Sequence, residues 1–325
     1  MTPFEDINPD QHIVEVNLVA RANTVSIVPG DETKVLNYND QLPGPLLHAR
    51  VSDRIIVHFR NELTEATTVH WHGLRISDTM DGSPLIQNPV EPGAELTYDF
   101  VVPDADTFWY HTHMHQIKQF ERGLYGTIVV HEAEYPKFSA ERIFVADDIR
   151  LTPKNQIAVF ATSGPDIGMG RVGNTLLING KGEAAKLTIA RGAIERWRFV
   201  MATNSLAFAL RVQGADVRVI STDGGLLPEP FKLNRVEIAP GQRYDFEVRP
   251  KADATEVVLE ALIRTLDANN QVIEEPYPLA RAAIEGELTT PEPVYPTTRR
   301  PSSRTSRTRA SGWCTVISRS TARWG

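Results

Sequence analysis

The sequence predicts an all-β protein made of two tandem Greek-key β-sandwiches, followed by an irregular C-terminal tail. Three observations carry that prediction. Short runs rich in β-branched residues recur from residue 12 to residue 263, and runs with partial period-2 alternation read as strands. Turn sequences containing Gly and Pro separate them, among them Gln41-Leu42-Pro43-Gly44-Pro45, Asp81-Gly82-Ser83-Pro84 and Glu91-Pro92-Gly93. No stretch of useful length has helical periodicity, and many short strands with such turns argue for an antiparallel sandwich or a Greek-key barrel.

In chain order, the first set of predicted strands covers residues 12–19, 54–59, 67–71, 96–102, 107–113 and 124–131. The polar stretch 132–140 marks a boundary, so the first domain is placed at 1–135. The second set covers residues 142–146, 175–178, 186–189, 194–201, 208–212, 217–221, 235–238, 244–248 and 256–263 and defines a second domain at 136–296. Two domains of roughly 100–150 residues suit the total length of 325. The two sets share a texture of short strands and turns rather than residues, which makes an internal duplication of one sandwich plausible.

Residues 297–325 break the pattern. They hold seven Arg with no Lys and no acid, mixed with Ser, Thr, Trp313, Trp324 and Cys314, in neither a strand pattern nor a capped helix. Trp and Cys are unusual in a basic binding tail, so the composition fits a change of reading frame after about Pro296 better. Resequencing the source DNA tests this.

The formal charge of −7 includes those seven arginines, which leaves −14 on residues 1–296. An acidic body argues against general nucleic-acid binding, which needs a basic face to neutralise phosphates. With Cys314 the sole cysteine, no disulfide forms within the chain. No apolar run reaches the roughly 20 residues of a membrane helix. Residues Met1 to Asp10 are acidic and lack the basic and apolar regions of a signal peptide.

Five of the nine histidines lie in two short stretches, His70-Trp71-His72-Gly73 and His111-Thr112-His113-Met114-His115. On an extended strand, residues i and i+2 project from one face. Two adjacent strands therefore converge four imidazoles: His70, His72, His111 and His113. Neutral imidazoles suit borderline transition metals such as copper or zinc, and the set reads as a copper site or half of one. His115 would share the face of His111 and His113 if the strand continued, whereas an earlier strand end makes it a surface residue, the preferred reading. His12, His48, His58 and His131 show no partners at metal spacing and read as ordinary strand or edge histidines.

Taken with their flanks, these motifs resemble a known family. His70-Trp71-His72-Gly73, Met80-Asp81-Gly82, Thr107-Phe108-Trp109-Tyr110-His111-Thr112-His113 and Gly123-Leu124-Tyr125-Gly126 are similar to the first cupredoxin domain of the multicopper oxidases, the laccase-like enzymes. Leu177-Ile178-Asn179-Gly180 and Ala239-Pro240-Gly241-Gln242-Arg243-Tyr244-Asp245 resemble the middle cupredoxin domain more loosely. The resemblance implies that His70 binds a type 2 copper, that His72, His111 and His113 bind type 3 copper, and that Asp81 helps deliver protons as dioxygen becomes water. As part of an Asp-Gly turn, Asp81 has an equally good structural reason to be there.

The resemblance also implies parts that this sequence lacks. The family's His-x-x-His-x-His and His-Cys-His motifs are missing, no histidine follows His131, and Cys314 has no flanking histidine. The expected cofactor is therefore copper in incomplete type 2 and type 3 sites without a type 1 site. The expected activity is one-electron oxidation of phenolic or metal-ion donors coupled to reduction of dioxygen to water, impaired in the isolated chain. The alternatives are a non-catalytic copper-binding cupredoxin module and a structural scaffold. A half-built cluster at a domain edge favours a partner surface, a homo-oligomer among the options. A periplasmic or secreted location is expected from the resemblance alone.

Overall fold

The computed structural model describes residues 1–132, 136–160, 164, 166, 170–233, 235–267 and 269–295. The expectations for Cys314 and the tail at 297–325 lie outside these residues. In the first half, eight strands follow one another: β1 (Ile13–Val25), β2 (Thr33–Tyr38), β3 (Gly44–Arg50), β4 (Arg54–Asn61), β5 (His70–His72), β6 (Glu95–Val101), β7 (Asp106–His111) and β8 (Tyr125–His131). They form two four-stranded sheets in the orders β2-β1-β4-β6 and β3-β8-β7-β5. A short helix, α1 (Gln116–Glu121), lies between β7 and β8; six residues are too few for helical periodicity to register in the sequence.

Alternation sets which face each strand buries. Val16, Leu18 and Ala20 of β1 and Ile55, Val57 and Phe59 of β4 share a core with Trp71, Tyr98, Tyr110 and Ile128. The sheets are not wholly antiparallel: β1 pairs parallel with β4, and β3 parallel with β8. Such pairs join strands that are distant in sequence, a feature that local patterns do not encode.

The second half contains β9 (Ala140–Ile149), β10 (Thr175–Ile178), β11 (Ala185–Arg191), β12 (Glu195–Met201), β13 (Phe208–Gln213) and β14 (Ala215–Thr222). It continues with β15 (Gly225–Lys232), β16 (Arg235–Ile238), β17 (Arg243–Pro250), β18 (Glu256–Leu266) and β19 (Val272–Glu287). A six-stranded sheet, β10-β9-β12-β17-β14-β15, faces a five-stranded one, β11-β19-β18-β13-β16. Trp197, Phe199, Phe144, Phe246 and Leu259 fill the space between them. Strands β15 and β19 each contain two prolines, which usually argue against a strand. Here β15 is an edge strand, and Pro276 and Pro278 precede the stretch where β19 pairs with β11, so that side needs no ladder donor.

Strand β7 lies between the two halves. All six of its residues are buried, because Phe108 and Tyr110 enter the first core while Thr107 and Trp109 face the second half. Trp109 joins Phe120, Tyr125, Val145, Val200 and Ala202 in an apolar cluster. Beside it, Asp245 of β17 accepts hydrogen bonds from the Thr107 hydroxyl at 2.8 Å, Arg196 Nη2 at 2.6 Å and Arg198 Nη1 at 2.9 Å. The register explains the meeting, since Arg198 pairs with Asp245 across β12 and β17. Among the described residues, no helix is long and apolar enough to cross a membrane.

Candidate metal centre

The short strand β5 carries the first two histidines. Trp71 points into the core and packs against Phe100 and Tyr98 at 5.1 and 5.3 Å between ring centroids. Alternation then turns His70 and His72 outward on the other face. The neighbouring strand β7 pairs His111 with His70 and Trp109 with His72. His113 lies beyond the end of β7, yet it still stacks on His70 at 4.1 Å. The ligand nitrogens of His70, His111 and His113 lie within 4.8 Å of one another. His72 joins from the other side, its Nδ1 3.3 Å from His111 Nε2. The structure thus brings together all four histidines singled out by sequence.

The rings of His70 and His111 are each oriented by a contact at the far nitrogen. His111 Nδ1 lies 2.8 Å from the Thr112 carbonyl, so an Nδ1–H donates there and Nε2 is left as a lone pair. His70 Nδ1 lies 2.9 Å from the Asp81 carbonyl and 3.1 Å from Asp81 Oδ1, which makes Asp81 the group that fixes the His70 ring. Gly82, at φ +73°, lets this turn close, because a Cβ there would strike the backbone of Val69. His113 is tied to the opposite loop by its amide, which donates to Thr68 Oγ1 at 3.2 Å.

Burial also holds the imidazoles of His72, His111 and His113 neutral. The pKa of His72 falls to about 3, chiefly through loss of hydration, with further depression from Arg243 and the neighbouring rings. His111 is held well below the ordinary histidine range, and His113 below it, again mainly by burial and then by His70. Converging imidazole nitrogens, three of them on rings that burial keeps uncharged, can hold a borderline transition metal.

Two groups of residues at the site escaped the sequence reading. Gln119 of α1 accepts from the hydroxyls of Thr67 and Thr112, both at 2.9 Å, which braces the backbone between His111 and His113. The second half also contributes: Thr203, Asn204, Pro240 and Gly241 line the same ≈310 Å³ cleft as the histidines. A Cβ at Gly241 would lie 3.2 Å from His72 Cε1, and the Arg243 guanidinium packs over Phe108. The motif 239–245 was visible in the sequence, but nothing local tied it to the histidines. His115 lies outside the cluster, exposed and left-handed at φ 44°, at the start of α1. The expectation that His48 and His131 have no partner at metal spacing is corrected: His48 Nδ1 and His131 Nε2 are 3.1 Å apart.

Residues 20–135 and residues 150–272 each match a family described as multicopper oxidase. The fold agrees with that match. The crystal structure of a multi-copper oxidase from Pseudomonas thermotolerans superposes with a TM-score of 0.76 at 30% identity, over 87% of this chain and 66% of that one. Lac15 from a marine microbial metagenome superposes with a TM-score of 0.70 at 30% identity, over 86% of this chain and 69% of that one. The chain belongs to the multicopper oxidase family. Laccase-1 of Cryptococcus neoformans var. grubii is 31% identical over 244 residues, which are 66% of this chain and 38% of that protein. This multicopper oxidase chain thus spans well under two thirds of the curated relatives it matches. Members of the family bind copper, and the donor set described above fits that metal. The two halves are cupredoxin-like sandwiches, as the resemblance implied.

Proposed function

We propose that residues 1–135 and 136–296 form two cupredoxin domains of a laccase-like oxidase, the first carrying half of a three-copper cluster. His70 takes the type 2 position, and His72, His111 and His113 take type 3 positions. The observation that carries this reading is the approach of His72 Nδ1 to His111 Nε2 at 3.3 Å. Two imidazole nitrogens bound tetrahedrally to one ion at about 2.0 Å lie about 3.3 Å apart. Copper, when bound, supplies the one-electron steps that couple oxidation of a phenolic or metal-ion donor to reduction of dioxygen.

The chain's own residues supply position and protons. Asp81 holds His70 at Nδ1 and, as a partly exposed carboxylate, is suited to pass protons from solvent into the cleft. Thr112 and Gln119 fix the strand end, and Gly241 closes over His72. The remaining ligands and the type 1 site come from outside these 325 residues, through a partner or further chain, and a periplasmic or secreted setting belongs to the same reading. The isolated chain loaded with copper is expected to bind fewer than four ions, to lack the intense blue band of a copper thiolate, and to show little or no turnover of a phenolic donor. Absorption spectra, metal analysis and an oxidase assay check this; a blue protein with laccase turnover overturns it.

Two further outcomes follow from the geometry. Gly241→Val places methyl groups against His72 and is expected to weaken copper binding about 10–100-fold, as changes around metal ligands commonly do. Gly93 also has a positive φ, +78° against +86° at Gly241, but a Cβ there meets nothing within 4 Å, so Gly93→Val strains a turn and leaves copper affinity unchanged. Competition with a chelator separates the two variants. The second outcome concerns pH. An imidazole binds copper only when unprotonated, and His72 stays neutral down to about pH 3. Lowered pKa values weaken competition from protons, so copper content after dialysis is expected to stay level from about pH 7 to pH 5, below the ordinary histidine value of about 6.5. Release centred near pH 6.5 would mean that the ligands are hydrated surface histidines.

A further inference from the structure

The geometry points to a second metal site, independent of the cluster, at His48 of β3 and His131 of β8. The two strands are parallel neighbours with Arg50 opposite His131 and His48 opposite Val129. His48 and His131 therefore share the face turned away from the core, one step apart along the diagonal. Their nitrogens, His48 Nδ1 and His131 Nε2, are 3.1 Å apart, and their rings are almost coplanar at 9°. This is the approach of an N–H on one ring to the lone pair of the other.

Such a pair can accept an ion in place of the shared hydrogen bond. The donor ring moves its proton to its other nitrogen, both rings turn so that lone pairs that faced each other converge on one ion beside the N···N line, and no proton is released. Two nitrogens at about 2.0 Å from one ion, with about 100° between the bonds, lie about 3.1 Å apart. The separation is within 0.2 Å of that between His72 and His111. Partial burial also keeps both imidazoles below the ordinary histidine pKa, so they are neutral at pH 7.

The pair opens on a ≈490 Å³ cavity. Among the described residues no third His, Cys, Asp or Glu ligand atom joins the pair at metal range, and Glu132 is engaged by Arg196, so water from the cavity completes the coordination, as it does in many two-histidine sites. Arg198 acts against a cation here, but it is already paired with Glu141 at 2.8 Å and Asp245 at 2.9 Å. The site is also remote from the cluster. His111 pairs with Tyr125 at the start of β8, and His131 lies six residues further on, about 20 Å along the strand. The ligand is a single borderline divalent cation, zinc or copper(II).

Equilibrium dialysis of the full chain against zinc tests this. The His48→Gln/His131→Gln variant is expected to bind one ion fewer than the unaltered chain, and the His70→Gln/His113→Gln variant to keep that ion. In the chain lacking all four cluster histidines, zinc is expected to raise the melting temperature, and adding the His48→Gln/His131→Gln changes to that chain is expected to abolish the rise. Circular dichroism confirms that each variant is folded. As a check free of substitution, zinc added in excess of what the cluster takes up should shift the ring resonances of His48 and His131 in the unaltered chain. Unchanged stoichiometry in the pair variant, or unmoved ring resonances, would show only a histidine hydrogen bond and overturn the proposal.

Discussion

Asp245→Ala is expected to destabilise the protein by about 3–5 kcal/mol, the usual cost of removing one member of a buried ionic network. Asp245 is 1% exposed, and both arginines that donate to it are fully buried. Without the carboxylate, Arg198 keeps Glu141 and Arg196 keeps Glu132, but two guanidinium groups at the junction lose their shared counter-ion. The Thr107 hydroxyl loses its acceptor as well. Because Thr107 belongs to the strand that carries His111, the variant should loosen the attachment of the second half to the metal-binding face. Urea denaturation gives the energy. A loss below about 1 kcal/mol would mean that water reaches the site and screens the charges. Adding Arg198→Met should recover part of the loss, since well-packed apolar groups replace buried ion pairs at little cost.

The same junction shows how far the sequence could be read. Period-2 alternation around Trp71 and Tyr110 made β5 and β7 legible, and the spacing of His70, His72, His111 and His113 made the cluster legible with them. What failed was long-range pairing. The parallel partnership of β3 with β8 brings His48 to His131 across 83 residues of chain, and no local pattern records it. β2 and β3 flank the turn at residues 41–45, where the prolines and glycine dominate the local signal and hide both strands. The contribution of Gly241 to the His72 environment was hidden for a different reason: a glycine acts by leaving space, and the sequence does not say whose space it is. His115 was decided by one backbone angle, since the left-handed turn at that residue ends the strand face on which it would have joined the cluster.

His111→Ala should have the larger effect on metal binding. His111 is the ring common to both sides of the cluster: its Nε2 faces His72 Nδ1 at 3.3 Å, and its ligand atom lies within 4.8 Å of those of His70 and His113. Removing it takes away the short nitrogen–nitrogen approach to His72 and leaves His70 between His72, at 5.6 Å between ring centroids, and His113, at 4.1 Å. Copper affinity in the cleft is therefore expected to fall by more than the 10–100-fold that follows loss of an orienting contact. The fold should lose comparatively little beyond the packing of one ring between Trp109 and Phe120, because the Nδ1 hydrogen bond to Thr112 contributes only about 1 kcal/mol. His115→Ala is the control, since that side chain is exposed and outside the cluster, and it should bind copper as the unaltered chain does. Both comparisons are best made with His48→Gln/His131→Gln in the background, so that an ion held at that pair does not mask the loss. Equal copper content in the His111 and His115 variants would show that the four imidazoles do not act as one site.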